Sequence, residues 1–319
     1  MQGIPERFPP VSIVGGGVIG LTTAVILAER GHRVEVTAAR YGEGTASYAA
    51  AALIGPAVPM FGEQVGAWTE TGLSAFSALA RGQTPGVRIQ AGRLVSSMTS
   101  EPPDWAGRVP GFRPCDRDEA AGYPTAFWAQ LPVVDMPPYL QYLQHRVQAA
   151  GGTLRTGEVA DLSSHAAAGG VIINCTGPSA GALAGDPDVS DVHGLSVMVP
   201  NPGLDSFFYE AGAGDWASWF CHGEQLSLGG TARTEAITDP AAAAAEIIAR
   251  CAAIEPRLAS ASPQEIRSGA RPARSVPRLE WDTSGPVPVL HSYGHGSVGV
   301  TVSWGAAYDA AAMVGELDT

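Results

Sequence analysis

Lysine is absent from all 319 residues, so each of the 19 fixed cations is an arginine. A pyridoxal-phosphate Schiff base and a phosphate-binding P-loop both need a lysine amine, and both are excluded. Cysteine is scarce: Cys115, Cys175, Cys221 and Cys251 stand far apart, with no Cys-x-x-Cys pair and no histidine at zinc-ligand spacing. This predicts structural thiols in a reducing compartment and no metal site. Positive charge is in deficit, with a net charge of -12, which argues against nucleic acid and anionic membranes as partners. No apolar run reaches the roughly eighteen residues that a membrane span needs. Glu6 and Arg7 lead into a strand rather than a secretory core, and the end Gly315-Glu316-Leu317-Asp318-Thr319 carries no peroxisomal address. A cytoplasmic, enzyme-sized protein is expected, with 45% apolar residues to fill one large core or two smaller ones.

What is present begins with Val11-Ser12-Ile13-Val14-Gly15-Gly16-Gly17-Val18-Ile19-Gly20. An apolar strand runs into a helix through a turn of glycines. Gly15 permits the turn, Gly17 lets backbone approach a pyrophosphate, and Gly20 lets the helix lie close to the strand. The phosphates then face the helix N-terminus near Val18 and Ile19, where free N–H groups and the positive dipole end collect. Leu21 to Arg30 reads as helix, Gly31 stops it, and Val34-Glu35-Val36 starts a second strand. This βαβ opening predicts a dinucleotide ligand. The ribose carboxylate expected roughly twenty residues on is missing, because Thr37-Ala38-Ala39-Arg40 occupies that strand end. Arg40 suits a 2′-phosphate, so at this point an NADP-dependent reductase competes with an FAD enzyme.

Further along, residues 70 to 138 are rich in Pro, Gly and Trp, with Pro102-Pro103 and Pro137-Pro138 as breaks, and read as an inserted second domain. A helix is predicted from Tyr139 to about Ala150, then a buried strand over Gly170–Asn174. Residues 194 to 235 alternate as strands. Asp239-Pro240 supplies an N-cap and an N1 proline for a helix to about Ile254, with Glu246 and Arg250 at i,i+4 spacing. Val287–His291 is a strand, and after a glycine turn a helix runs from about Val302 to Val314.

Four segments together resemble the D-amino-acid oxidase family of FAD-dependent flavoproteins: VSIVGGGVIGL, VIINCTGPSAGAL (171–183), SGARPARSVPRLE (268–280) and LHSYGHGSVGVTVSWGAA (290–307). They span nearly the whole chain. The resemblance implies an α/β fold in which a Rossmann-like FAD-binding domain (9–62, 139–192 and 284–319) interleaves with a mixed-sheet α+β substrate domain (63–138 and 193–283). It implies FAD as cofactor, an amino acid and oxygen as partners, and a homodimer as an allowed assembly. The family's acidic ribose partner falls at Ala39, and its neighbouring arginine at Arg40, which would grip adenosine ribose or phosphate with weakened FAD affinity.

By the same resemblance, Arg271 clamps the substrate α-carboxylate through two parallel charge-assisted bonds, next to Gly269 in the same turn. Arg274 and Arg278 read instead as salt-bridged surface residues. Gly296, Ser297, Gly299, Val300 and Thr301 approach the flavin's pyrimidine edge, where amides and a helix end stabilise negative charge. Ser297 stands where glycine is common in the family. His291 and His295 read as structural donors rather than bases. Thr176 and Gly177 contact FAD through backbone, Val159 packs near adenine, and the stretch Thr45-Ala46-Ser47 through Ala52-Leu53 wraps pyrophosphate and flavin. Ala52 replaces the family's usual glycine.

The substrate side departs from the family. Two tyrosines are common there, on the lid and on the strand after it. Here Trp219 falls on the strand tyrosine and Trp216 or Asp215 on the lid one, either as catalytic-site indoles or simply as core residues. Ser206–Gly214 reads as a short lid. Gly55, Ala57 and Cys221 make space, and with Phe207 and Phe208 nearby they predict a roomy apolar pocket for neutral, bulky D-amino acids. The expected reaction is hydride transfer to flavin N5, giving a 2-oxo acid, ammonia and hydrogen peroxide. The alternatives are a glycine- or sarcosine-type oxidase or dehydrogenase, a specialised biosynthetic amino acid oxidase, and a non-catalytic FAD- or NADP-binding protein.

Overall fold

The computed structural model of the protein describes residues 9–55, 62–165, 170–212 and 214–316. Strand β1 (Val11–Val14) is buried at all four positions, as expected of a parallel strand covered on both faces. It pairs in parallel with β2 (Val34–Ala38) on one side and β8 (Val171–Asn174) on the other. Beyond them, β7 (Thr153–Thr156) and β14 (Val289–His295) complete a parallel block in the order β14-β8-β1-β2-β7. Helix α1 (Val18–Glu29) follows the glycine turn and packs between α3 (Met136–Ala149) and α6 (Gly299–Gly315). Ten of its twelve residues are buried, which is why it shows no polar stripe.

The same sheet continues past β14 with antiparallel strands. Next come β13 (Glu265–Asp282), β9 (Ser190–Pro200), β12 (Gln225–Gly229) and β11 (Ser218–His222). They are followed by β10 (Phe207–Ala211), β4 (Val87–Ser96), β6 (Thr125–Val134) and the short β3 (Ala52–Leu53), while β5 (Arg113–Pro114) pairs with β6. Helix α5 (Pro240–Ile254) covers one face of this half and buries Ile247 and Cys251 against Leu195, Val197 and Leu228. A parallel dinucleotide-type sheet and a mixed substrate-side sheet are thus one continuous surface of fourteen strands. The short α4 (Ala180–Ala184) follows β8.

Several expectations change in detail. The Pro-, Gly- and Trp-rich stretch read from residue 70 opens inside a twenty-residue helix, α2 (Gly62–Arg81), which the composition conceals. Its glycine is a packing device: a Cβ on Gly72 would lie 1.8 Å from the Thr301 carbonyl oxygen of α6, and one on Gly305 would lie 2.4 Å from the Cα of Trp68. The two helices therefore approach at mutual glycines. Pro137 and Pro138 do not break a helix but begin one, since Asp135 is the extended N-cap and proline fits the first turn. Helix α6 starts at Gly299, three residues before the expected Val302, and α1 starts at Val18 rather than Leu21. Ser206–Gly214 is not a lid: Phe207–Ala211 is β10, hydrogen-bonded between β4 and β11. Asp239 caps α5 as expected, accepting from the Ala242 N–H at 2.9 Å. Glu246 and Arg250 turn instead to Arg233 (3.1 Å) and Asp215 (3.5 Å).

Candidate active site

A cavity of about 630 Å³ opens at the C-terminal ends of β1, β2 and β8 and runs across the sheet to β13. This is where a parallel α/β sheet places ligands. Gly15 has φ +123°, and a Cβ there would lie 2.2 Å from the Cys175 carbonyl oxygen, so the turn closes directly against β8. On Gly20 a Cβ would lie 2.1 Å from the Gly15 oxygen, which locks helix to strand. Gly20 therefore shapes the cavity from beneath and does not line it. Gly17 caps α1 without a side chain, and no acidic residue occupies the first turn, so the positive helix end faces the cavity. Ser47 Oγ accepts from the Val18 N–H at 2.9 Å, drawing the 45–50 segment across the helix end. The same segment is tied to β9 by Ser196 Oγ, which donates to the Ala49 carbonyl at 3.1 Å.

Arg271 projects from β13 into the far end of this cavity. It lies over Gly194 of β9, where a Cβ would be 2.4 Å from Nη1, so only glycine leaves the guanidinium its place. Among the described residues its one hydrogen bond is from Nη1 to the Thr231 carbonyl at 3.2 Å. No carboxylate among the described residues pairs with it, and burial holds its pKa below the usual arginine range. The other arginines of the segment are all paired. Arg267 meets Glu265 (2.8 Å), Arg274 meets Asp186 (3.1 Å), and Arg278 meets Glu280 and the Tyr293 hydroxyl (both 2.6 Å). A part-buried, unpaired guanidinium opening into a cavity calls for an anion.

The two histidines of the β14 end differ in their partners. His291 faces Asn174 (Nδ1···Nδ2 3.2 Å), whose side-chain oxygen accepts from the Thr176 hydroxyl at 2.7 Å. His295 is buried beside Trp68, its Nε2 has no partner among the described residues, and burial pushes its pKa down to about 4. A neutral imidazole in the fold and a protonated one in the unfolded chain make stability depend on acid. The unfolded group takes its proton first, near its ordinary 6.5, so this stability is full above that value and is lost as pH falls towards 4. At pH 5 the loss is about 2 kcal/mol for this side chain. Thermal melts from pH 8 to pH 5 should therefore be flatter for His295→Gln than for the parent; parallel curves would refute the assignment.

The cysteines behave as structural thiols. All four are free, and burial raises Cys175 and Cys251 to about 12 and Cys115 and Cys221 to about 11. None supplies a thiolate at neutral pH.

Residues 10–313 match the family described as DAO, FAD dependent oxidoreductase. The chain belongs to this family. Its relatives include a D-amino-acid oxidase of Streptomyces coelicolor, 42% identical over 322 residues, covering 97% of both chains. A D-amino-acid oxidase of Rubrobacter xylanophilus is 39% identical over 310 residues, covering 95% of each. Glycine oxidase from Geobacillus kaustophilus shares the fold, with a TM-score of 0.79 at 21% identity, over 97% of this chain and 95% of that one. FAD is the cofactor of this family, and the cavity fits it. A glycine cradle at a bare helix end awaits a pyrophosphate, and an orphan imidazole nitrogen and an unpaired arginine stand at the other end.

Most of the expected cofactor contacts meet here. Gly15, Gly17, Val18, Ile19 and Arg40 line the cavity with Thr45, Ala46 and Ser47. Val159, Thr176, Gly177 and Gly269 line its middle, and Gly296, Ser297, Gly299 and Val300 its β14 end. Others are elsewhere. Thr301 turns away to α2, Ala52 lies in the core beneath α1, and Leu53 packs with Phe207 and Phe220. Trp219 is a core residue: its ring stacks on Phe208 at 4.5 Å, and its N–H donates to the Ser206 carbonyl at 3.1 Å. Trp216 covers Gly230 at the strand end, outside the cavity. Cys221 shares the α5-facing side with Trp219 and so widens no substrate pocket. Gly55 is described, near Leu131, whereas Ala57 lies outside the described residues.

Sequence reasoning missed three residues. Gly194 had no local motif to mark it. Glu158, after β7, is the carboxylate that lines the cavity nearest Ala39, because β7 pairs with β2 and the Gly157 N–H reaches the Ala38 carbonyl at 2.9 Å. Tyr209 on β10 does not line the cavity but lies near enough to Arg271 for the two charges to be coupled. Only strand pairing brings these last two towards the site.

Proposed function

We propose that this chain oxidises neutral D-amino acids to 2-oxo acids, with release of ammonia and with oxygen as electron acceptor. The observation that supports this most directly is Arg271, a part-buried guanidinium with no ion pair at the end of a dinucleotide cavity. The D configuration rests on the D-amino-acid oxidases to which the chain is 42% and 39% identical. When bound, FAD supplies the two-electron oxidation of the α-carbon and the return of those electrons to oxygen. The chain's own residues bind and orient. Arg271 accepts the α-carboxylate in a planar fork and thereby fixes where the α-carbon stands. Gly194 leaves the Arg271 guanidinium its place, and Gly269 lets Ala46 and Ala49 lie close against β13. The amides at the start of α6, with Ser297, face the cavity where negative charge needs stabilising.

Besides Arg271, the charged residues lining the cavity are Arg40 and Glu158, both where β2 and β7 end, so among the described residues no second cation faces the Arg271 end. Neutral substrates therefore suit the wall better than acidic ones.

The test is the visible spectrum of the purified flavoprotein during anaerobic addition of D-alanine, D-valine, D-phenylalanine, D-aspartate and the matching L-isomers. Bleaching by neutral D-isomers alone is the expected result. Bleaching by glycine or sarcosine in preference would move the assignment to a glycine-type oxidase, and the highest kcat/KM for D-aspartate would overturn the neutral pocket.

A further inference from the structure

We propose that Asp215 is a positioning residue for the carboxylate clamp: through the Thr231 hydroxyl it fixes the carbonyl to which Arg271 is anchored, and so aims the guanidinium without neutralising it. The inference rests on reading Arg271 as that clamp. A guanidinium that must receive a substrate carboxylate has two conflicting needs. It has to be held in one orientation, yet a carboxylate of the protein close enough to hold it would occupy the fork and cancel its charge. Arg267, Arg274 and Arg278 are held in that way. Arg271 donates instead to the Thr231 carbonyl, a neutral acceptor that engages one N–H and leaves the others.

Thr231 lies just past the end of β12 and is buried. Its hydroxyl donates to Asp215 Oδ1 at 2.5 Å, in the turn that leads into β11. The other oxygen, Oδ2, meets Arg233 at 3.3 Å and Arg250 of α5 at 3.5 Å, so the carboxylate is tied to the continuation of β12 and to the helix at once. The residues on either side of Thr231 are fixed as well. Gly230 and Trp216 exchange backbone hydrogen bonds, and the indole lies where a Cβ on Gly230 would be 2.3 Å from Cε2. Arg250 Nη2 adds a bond to the Gly230 carbonyl at 3.0 Å. Arg233 exchanges backbone bonds with His193, the residue before Gly194. Between these two anchors, the one side-chain hydrogen bond that Thr231 makes among the described residues goes to Asp215.

The charges are arranged to suit. Burial raises the Asp215 carboxyl, but Thr231, Arg250 and Arg233 together outweigh it and hold the group below the usual carboxylate range. Its negative charge is thus shared with Arg233 and Arg250, and Asp215 is not among the groups that act on the charge of Arg271. Neither Asp215 nor Thr231 lines the cavity. Both therefore act on a bound carboxylate only through the guanidinium, one carbonyl away.

Thr231→Val cuts this link, because it removes the hydroxyl and keeps the carbonyl, the shape and both ion pairs of Asp215. Benzoate, a carboxylate with no amino group, is the probe, and its dissociation constant is read from the shift of the flavin absorbance in the holoenzyme. Thr231→Val should weaken benzoate by about 2- to 10-fold, the range for one hydrogen bond. KM for the preferred D-amino acid should rise in parallel, with a much smaller change in kcat and with flavin content unchanged. Thr231→Ser, which keeps the hydroxyl, should bind benzoate as the parent does. Benzamide, which carries no charge, should bind parent and variants alike; equal weakening of benzoate and benzamide would mark a loosened pocket and overturn the inference. If Thr231→Val binds benzoate as the parent does while Arg271→Met does not, the inference fails and the arginine reading stands. If both variants bind as the parent does, both readings fail. Should Thr231→Val not yield a folded flavoprotein, Asp215→Ala must show the same selective loss of benzoate, and Asp215→Asn, which keeps an oxygen for the Thr231 hydroxyl, must recover most of it.

Discussion

Replacing Arg271 by methionine is expected to lower kcat/KM for a neutral D-amino acid by roughly 30-fold to several thousand-fold, the span that follows from losing one partner of a desolvated charge pair. Methionine keeps the length of the stem and removes only the planar cation. Every other arginine of the 267–278 segment has a carboxylate of its own, so Arg271→Met leaves those ion pairs intact. The enzyme should retain its flavin and its melting temperature, or gain slightly in stability, because burial already holds the Arg271 guanidinium below its usual pKa with no anion to compensate. Steady-state kinetics together with a thermal melt check both halves. Full activity in Arg271→Met would remove the residue from the site, and a large drop in melting temperature with unchanged KM would make it structural. Arg271→Lys should recover only part of the loss, since an ammonium offers a point charge where the guanidinium offers a fork.

The second large effect is expected at Gly15. An alanine there must adopt φ +123° and place its Cβ 2.2 Å from the Cys175 carbonyl oxygen. Neither the strain nor the clash can be relieved by a side chain moving, because the obstacle is the backbone of β8. We expect Gly15→Ala to cost about 3–5 kcal/mol, at the upper end for single substitutions. This corresponds to a fall of about 4–8 °C in melting temperature for a chain of this size, together with loss of retained flavin. Gly42→Ala is the matched control. Gly42 also has a positive φ, +66°, but a Cβ there meets nothing within 4 Å. Its cost should be about 1–2 kcal/mol, that of backbone strain alone. Equal melting temperatures for the two variants would show that the Gly15 turn is not the tight joint described.

Much of the cofactor half was legible because its signals are local. The glycine turn at 15–20, the strand before it and the helix after it are consecutive in sequence, so spacing alone predicts their geometry. Asp239 followed by Pro240 states the start of α5 in two residues, and the structure shows the cap bond. Misreadings came where one residue type serves two purposes. Prolines 137 and 138 look like a break but occupy the first turn of α3. Glycines in α2 look like loop, yet Gly72 exists so that α2 can touch the Thr301 carbonyl of α6.

The substrate half turns on registers that no local pattern encodes. Matching an aromatic residue to the expected tyrosine selects Trp219, but side chains alternate across a strand, and one residue of register exchanges the site for the core. Phe208 and Trp219 face α5, whereas Tyr209 and Ser218 lie on the opposite face of the sheet. The sequence by itself therefore determined the dinucleotide turn and the exclusion of lysine-dependent chemistry, because these depend on residue identity and short spacing, while resemblance to the family singled out the segment that holds Arg271. Only the tertiary structure decided that Gly194 clears space for that arginine and that Glu158 stands near Ala39. Those relations are set by the pairing of strands far apart in the chain, in which the backbone ladder, and not the side chains, fixes who meets whom.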